Sequence, residues 1–392
     1  MKKEGINRKA MLLIFLVVFI DLLGFGIIIP ILPYFSKSLG ATALDLGWLM
    51  ASYSLSQFVL APVWGRISDR VGRKPVLLIS ILGSAIGFYW MGMATTLTSL
   101  FAGRIFAGIC GANISTAYAY IADITTEENR TKGMGILGAG FGLGFLFGPA
   151  IGGILSQHGN HVPLLAGAAL ACANWVFALF ALKEPNPSRL ERSKNRERRF
   201  EWNAWKTAFA VPLSRTSITL FFLLTLAVTQ MEVTFALFVG SRFGLDAMHA
   251  GYLLAILGLV MAIMQGGLVG RLAKRFGEIP LIQIGAWVSA AALAAFALST
   301  NLTMTTLSLV CLALGNGAMH PSLSALTSQA ARSDSRGGTM GVFHSASSLS
   351  RVIGPPIAGF LYDQVSMTAP YWAAVALLLL IFAALRMTKT AT

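Results

Sequence analysis

The sequence predicts an all-α membrane protein of twelve transmembrane helices, arranged as two pseudo-symmetric six-helix bundles with both termini in the cytoplasm. Three observations predict it. Of 392 residues, 55% are hydrophobic and 12% charged, which is more apolar surface than a water-soluble fold can hide behind so few charges. Apolar stretches of about 20 residues, the length that crosses roughly 30 Å of hydrocarbon, recur along the whole chain. Finally, the second half repeats short motifs of the first in one register.

Taken in order, the first six spans are Ala10 to Phe35, Leu46 to Ile67, Pro75 to Ala94, Leu97 to Asp123, Lys132 to Ser156 and Val162 to Leu182. The second six are Ser217 to Ser241, Ala247 to Leu272, Pro280 to Ser299, Thr303 to Gln329, Gly337 to Tyr362 and Pro370 to Leu385. Met1 to Lys9 is short and basic, and the run it leads into has no small-residue cleavage site, so the first span is expected to stay. With the N-terminus inside, all but four of the 30 Lys and Arg residues fall in cytoplasmic segments. Lys37 and Arg242 lie outside, and Arg104 and Arg351 lie within spans. That positive-inside bias sets the orientation. It also accounts for the net charge of +14 without a nucleic-acid partner, since the cations sit between apolar segments.

Cys110, Cys172 and Cys311 all fall inside apolar stretches. They offer neither a disulfide framework nor metal-ligand spacing, and no metal or cofactor is expected. The longest connection, Lys183 to Arg215, is rich in Lys and Arg and divides the spans six and six. The expected domains are therefore residues 1–182, a basic cytoplasmic linker 183–215, and residues 216–392. Within the linker Trp202, Trp205 and Phe209 fall at helical spacing beside Lys206, as in a short helix lying in the membrane interface. A merely solvated linker is the alternative.

The repeat is concrete. GRISDRVGRK from Gly65 is matched by GRLAKRFGEI from Gly270, GPAIGG from Gly148 by GPPIAG from Gly354, and Gly111 by Gly317, always about 205 residues on, the relic expected of a duplicated bundle.

Three segments carry a family resemblance. GRISDRVGRK, between the second and third spans, resembles the signature loop of the major facilitator superfamily. GFGLGFLFGPAIGG in the fifth span resembles the motif of its proton-driven exporters. The fourth span, GRIFAGICGANISTAYAYIADIT, and the second, WLMASYSLSQFVLAPVWGRISDR, look like the tetracycline-exporter branch of the drug:proton antiporters. The resemblance runs along nearly the whole chain. It implies the major facilitator fold, a multi-pass place in a bacterial cytoplasmic (inner) membrane, and proton-coupled export. One departure matters: the tetracycline exporters' acid in span three aligns with Gly87, and span nine has no acid between Pro280 and Ser299. The resemblance therefore names no substrate.

Physically, Gly65 and Gly72 allow a tight turn between two helices, with Asp69 facing helix N-termini or the cations Arg66, Arg70 and Arg73. The resemblance makes Asp69, with Arg130, a conformational gate. Gly144, Gly148, Pro149, Gly152 and Gly153, with Gly354 and Pro355 in the other half, strip side chains from helices and let neighbours approach closely. The GxGxG spacing of Gly138, Gly140, Gly142 and Gly144 in the same span also occurs in nucleotide loops, but no strand precedes it here.

Ionisable groups in hydrocarbon cost about 3 kcal/mol or more each, so those that persist are functional candidates. Asp21, Arg104, Glu232 and Arg351 qualify. Asp21 is read as a proton carrier and Arg104, matching the family's span-four arginine, as the cation that drives its proton off. A static pair holding spans one and four together is the alternative. Glu232 is a second proton or cation site, and Arg351 either neutralises it or meets an anionic substrate. Gln57, Asn113, Gln230, Gln265, Asn316, His320 and His344 add hydrogen-bonding groups to apolar helices, as in a central substrate cavity.

The expected function is a monomeric secondary transporter exporting a lipophilic or amphipathic small molecule against protons. Alternatives are an uptake symporter or uniporter for a sugar or organic anion, and a receptor or scaffold without flux. No zinc-protease helix, nucleophile elbow or phosphate loop supports an enzyme.

Overall fold

Hydrocarbon offers the backbone no hydrogen-bond partners, so an apolar chain satisfies its N–H and C=O groups within itself and becomes helical. The computed structural model describes residues 8–111, 113–125, 127–185, 202–331 and 336–390, and among them it contains helices and no strands. The helices of the first half are α1 (Arg8–Ile28), α2 (Ile31–Ser38), α3 (Ala43–Val71), α4 (Arg73–Gly92), α5 (Leu97–Cys110), α6 (Asn113–Ile124), α7 (Glu127–Leu155) and α8 (Val162–Ala181). Then follow α9 (Trp202–Ala210), α10 (Pro212–Phe243), α11 (Ala247–Phe276, with a π-helical turn at Met264–Leu268), α12 (Glu278–Ala297), α13 (Leu302–Ala330), α14 (Arg336–Gln364) and α15 (Ala369–Thr390). Nine helices among the described residues are long and apolar enough to cross a membrane. Both α7 and α14 have 29 residues, a length of about 44 Å.

Two compact units emerge from the contacts. One comprises residues 1–40 and 52–198, the other residues 41–51 and 199–392. Helix α3 is shared, since its first turns belong with the second unit and the rest with the first.

In the first unit glycine decides the packing. A Cβ on Gly26 of α1 would stand 2.6 Å from the Gly144 carbonyl oxygen of α7, one on Gly148 would stand 2.6 Å from the Gly26 Cα, and one on Gly152 would strike the Ile27 carbonyl. Backbone meets backbone there, as small residues permit in membranes. Asn174 ties α8 to α1 by donating to the Val17 carbonyl at 2.9 Å. In the second unit bulk does the work. Phe235, Phe238, Phe296 and Tyr371 are each 1% exposed or less. Their rings sit 5.0 to 5.9 Å apart, and Thr234 donates to the Tyr371 hydroxyl at 3.1 Å.

Helix starts are capped by the expected chemistry. Asp246 accepts from the His249 N–H at 3.0 Å at the head of α11, and Asn301 from the Met304 N–H at 2.8 Å at the head of α13. Helix α3 begins with Thr42 and Asp45 satisfying each other's backbone N–H groups, in the manner of a capping box. The next two donors, Ala43 and Leu44, reach beyond the helix to the Asp363 carboxylate of α14, at 3.3 and 2.8 Å. Here too side chains are excluded, because a Cβ on Gly359 would strike Ala43 and one on Gly47 would stand 3.0 Å from the Pro356 Cα.

Two expectations need correction. The fourth span is not one helix: α5 ends at Cys110, Gly111 leaves helical geometry with ψ 44°, and α6 starts at Asn113. Gly65 makes no turn either, since α3 runs on through it to Val71 and the reversal falls on Gly72 alone, whose φ of 104° suits glycine. The predicted linker helix is present as α9, packed on α10 and α14, with Trp205 and Phe209 stacked at 6.0 Å. The Trp202 side chain and residues 186–201 lie outside the described residues.

Candidate functional site

The first unit holds a buried charged centre built by three helices. Asp21 on α1 is 9% exposed, Arg104 on α5 is 3% exposed. One turn after Asp21, on the same face of α1, stands Phe25. The Arg104 Cζ lies 4.5 Å from the centre of the Tyr53 ring of α3 and 5.8 Å from that of Phe25. Phe25 and Tyr53 are themselves 5.8 Å apart, and Phe145 of α7 closes on Phe25 at 6.4 Å. Both Asp21 and Arg104 lie within electrostatic reach of Tyr53.

A stripe on α5 explains why α3 comes so close. Arg104, Gly108 and Gly111 share one helical face. A Cβ on Gly108 would stand 2.6 Å from the Tyr53 carbonyl oxygen and 2.9 Å from the Ser56 Cβ. At Gly111 the helix breaks, and the Gln57 amide of α3 donates to the freed carbonyl at 2.6 Å. Gln57 thus satisfies a group that the break orphans. The neighbouring flank of α5 accounts for the missing acid at Gly87: a Cβ there would already stand 2.7 Å from the Ala107 Cβ. The position has no room for a carboxylate.

In the second unit Glu232 of α10 and Arg351 of α14 form an ion pair, Oε2 to Nη1 at 3.1 Å, with side chains 32% and 48% exposed. Nearby, Phe221 and Phe343 stack at 3.8 Å. His320 stands edge-on to Phe221 at 4.9 Å, and His344 edge-on to Phe343 at 5.4 Å. Both imidazoles belong to exposed residues, and His320 lies within electrostatic reach of Arg351 and His344. Phe221 and Phe343 are themselves buried, 1% and 0% exposed, so the groups this region presents are the two imidazoles and the half-exposed ion pair. Gln265 is exposed in the π-helical turn of α11.

Two of the expected ligand groups face elsewhere. Gln230 is 1% exposed and donates its amide N–H groups to the Leu226 and Gly354 carbonyls, each at 3.3 Å, which ties α10 to α14, while its Oε1 is buried without a hydrogen-bond partner. Asn316 accepts from Ser289 at 3.4 Å and lines an apolar cavity of about 10 Å³, room for a water but for no drug. Gly354 packs against Thr229 of α10, while Gly153 and Pro149 lie within α7. The Asn113 and Arg130 side chains lie outside the described residues.

The charged loop between α3 and α4 centres on Arg73. Its guanidinium meets Asp69 at 2.7 Å, Asp123 at 3.0 Å and the Ser68 hydroxyl at 2.9 Å. The Glu184 carboxylate accepts from the Arg73 and Lys74 N–H groups at 2.9 and 3.0 Å, filling the space beside Gly72. An anion on those donors also complements the positive end of α4. Arg70 is exposed. Sequence reasoning missed Tyr53, Phe25, Asp123, Glu184 and Asp363. For Tyr53 the available signal was its place one helical turn before Gln57 on the same face of span two.

The profile of the Major Facilitator Superfamily matches residues 14–331 and again 267–391. The class E tetracycline resistance protein of Escherichia coli is 34% identical over 370 residues, covering 93% of this chain and 91% of its own. Multidrug resistance protein 2 of Bacillus subtilis (strain 168) is 30% identical, covering 92% and 91%. Among solved structures, the human organic anion transporter MFSD10 (TETRAN) superposes with a TM-score of 0.73 at 24% identity over 97% of this chain and 100% of that one. The nucleoside transporter NupG does so with 0.79 at 16% identity over 97% and 99%. These two likenesses speak to the fold alone.

Proposed function

Since the chain belongs to the Major Facilitator Superfamily, we propose that it is a secondary transporter of the drug-efflux type, not an enzyme, which exports a lipophilic or amphipathic small molecule across the bacterial cytoplasmic membrane in exchange for protons. One observation carries the coupling: an acid and an arginine buried within apolar helices, Asp21 and Arg104, share the Tyr53 ring as a common neighbour. Buried charges of this kind are expensive, and in membranes they mark proton and substrate paths. The resistance proteins named above, similar along nine tenths of the chain, favour efflux over nutrient uptake.

In this reading the chain crosses the membrane twelve times with both termini inside. The nine apolar helices are joined by α5 with α6, by α7 and by α14, and residues 1–182 and 216–392 form the two bundles flanking the linker 183–215. Asp21 takes a proton from the outer side and releases it inward, while Arg104 sets which form persists. Glu232 and Arg351, with His320, His344 and Gln265, offer the substrate a polar surface at half-exposed groups. The loop of Asp69, Gly72 and Arg73 with Arg130 acts as the inner gate, and the protein works as a monomer.

The test is flux in proteoliposomes. Compounds that raise the melting temperature in a thermal-shift screen are loaded against an imposed pH gradient. Efflux-type exchange moves substrate and protons in opposite directions, with a lumenal pH dye reporting the protons. Co-directional movement, or binding without flux, would reject the proposal.

A further inference from the structure

We infer that Tyr53 is a positioning residue for proton coupling: its ring is the second seat of the Arg104 guanidinium, occupied while Asp21 carries a proton and vacated when the proton leaves. This rests on the proton-carrier reading of Asp21 given above and adds a component that no charge pattern reveals.

The argument is geometric. The Arg104 Cζ sits 4.5 Å from the Tyr53 ring centre, inside the range at which a guanidinium and an aromatic face attract. The Tyr53 backbone is pressed against Gly108, one turn beyond Arg104 on α5, which keeps the base of this side chain beside the cation. Phe25 flanks the same cation at 5.8 Å and stands one turn after Asp21 on α1, so the cation and two rings meet between three helices with Asp21 within electrostatic reach of Tyr53.

Asp21 alternates between two species. A proton arriving from outside adds to the carboxylate oxygen and makes a neutral acid; on the inner side that O–H bond breaks and the proton passes to water. Toward the carboxylate, Arg104 has a full charge to answer. Toward the neutral acid it has only a dipole, and a cation left without compensation in low dielectric is costly. A quadrupole is a weaker partner for the cation than a carboxylate and a comparable rival to a neutral carboxylic acid. The ring therefore holds Arg104 in one protonation state and yields it in the other. Without the ring, Arg104 stays attached to Asp21 and opposes the proton's return.

The experiment compares Tyr53→Phe, Tyr53→Trp and Tyr53→Leu in proteoliposomes, using tetracycline and the lipophilic cation ethidium as probes, and reads protons and probe in the same vesicles. The ratio of protons to probe is decisive, because a folding defect removes active molecules and lowers both fluxes together. Phe and Trp keep a π-face, and their ratio should stay within about twofold of the unmodified protein. Leu keeps bulk without the quadrupole, and its ratio should fall at least threefold. A Phe variant whose ratio falls threefold or more would overturn the inference in favour of the hydroxyl, whether or not Leu folds. Leu retaining the full ratio would also overturn it. Asp21→Asn runs alongside: if that variant keeps full coupling, the carrier reading itself is wrong, whereas loss of coupling there with an intact Tyr53→Leu condemns the ring alone.

Discussion

The two acid–arginine centres of this molecule differ in how far water reaches each charge. In the first unit, Asp21 and Arg104 are both buried, and the cation lies on aromatic faces. In the second unit, Glu232 and Arg351 touch directly and stay a third to a half exposed. A pair that can see water is screened and contributes little to stability, about 0–1 kcal/mol. A buried centre feels each charge strongly, because low dielectric magnifies every change in protonation. In the proposed mechanism the first centre responds to a proton and the second presents polar groups to a ligand.

The largest effect tests whether the buried centre accepts a second acid. Gly87→Asp should yield no monodisperse protein after detergent extraction, since its Cβ meets Ala107 at 2.7 Å and an acid in hydrocarbon costs about 3 kcal/mol more. Folded Gly87→Asp with gained tetracycline flux would show that α4 and α5 can part. Next, Asp21→Asn should lower proton-driven flux about 100-fold, against about tenfold for Glu232→Gln, each fold-factor of ten being about 1.4 kcal/mol. Equal losses in one vesicle assay would erase the distinction between the centres. The pair itself is tested by adding Arg351→Gln to Glu232→Gln. With both charges gone no lone cation remains, and flux should recover about threefold over Glu232→Gln, a coupling that a double-mutant cycle reads. No recovery would mean that Arg351 contacts the substrate itself.

The smallest effect concerns helix heads. Asp363→Asn should cost about 1–2 kcal/mol, because two backbone donors lose a charged acceptor from another helix. Asp246→Asn, an exposed cap within its own helix, should cost about 0.5 kcal/mol. Melting curves of the two purified variants compare them, and an equal loss would make Asp363 an ordinary cap.

What was legible in the sequence follows from what each signal needs. Spans, charge asymmetry and the duplicated register are written in composition and order, and the membrane's demand for helices does the rest. Asp21, Arg104, Glu232 and Arg351 stood out because a charge inside an apolar run is conspicuous. Tyr53 did not, because a tyrosine in such a run carries no formal charge and matters only through what α5 brings to it. The break at Gly111 stayed hidden inside an unbroken apolar stretch, visible only once Gln57 is seen to take its carbonyl. Glu184 and Asp363 lie at span ends, where acids pass for ordinary solvated residues. Their partners are 110 and 319 residues away, and no local pattern encodes such a distance. Gln230, by contrast, looked like a ligand and donates its amide to helix packing, since polarity alone does not tell which way a side chain points.

The hydrogen bond from Ala43 to Asp363 spans 320 residues of chain, and this separation sets an order of assembly. At a ribosomal rate of about 5–20 residues per second, the head of α3 waits roughly 16–64 s before its acceptor has been synthesised. During that interval two amide groups at a membrane boundary need water, lipid headgroups or an insertase for company. The late arrival of α14 ends the wait, so the chain's own far end certifies that its beginning has been threaded correctly.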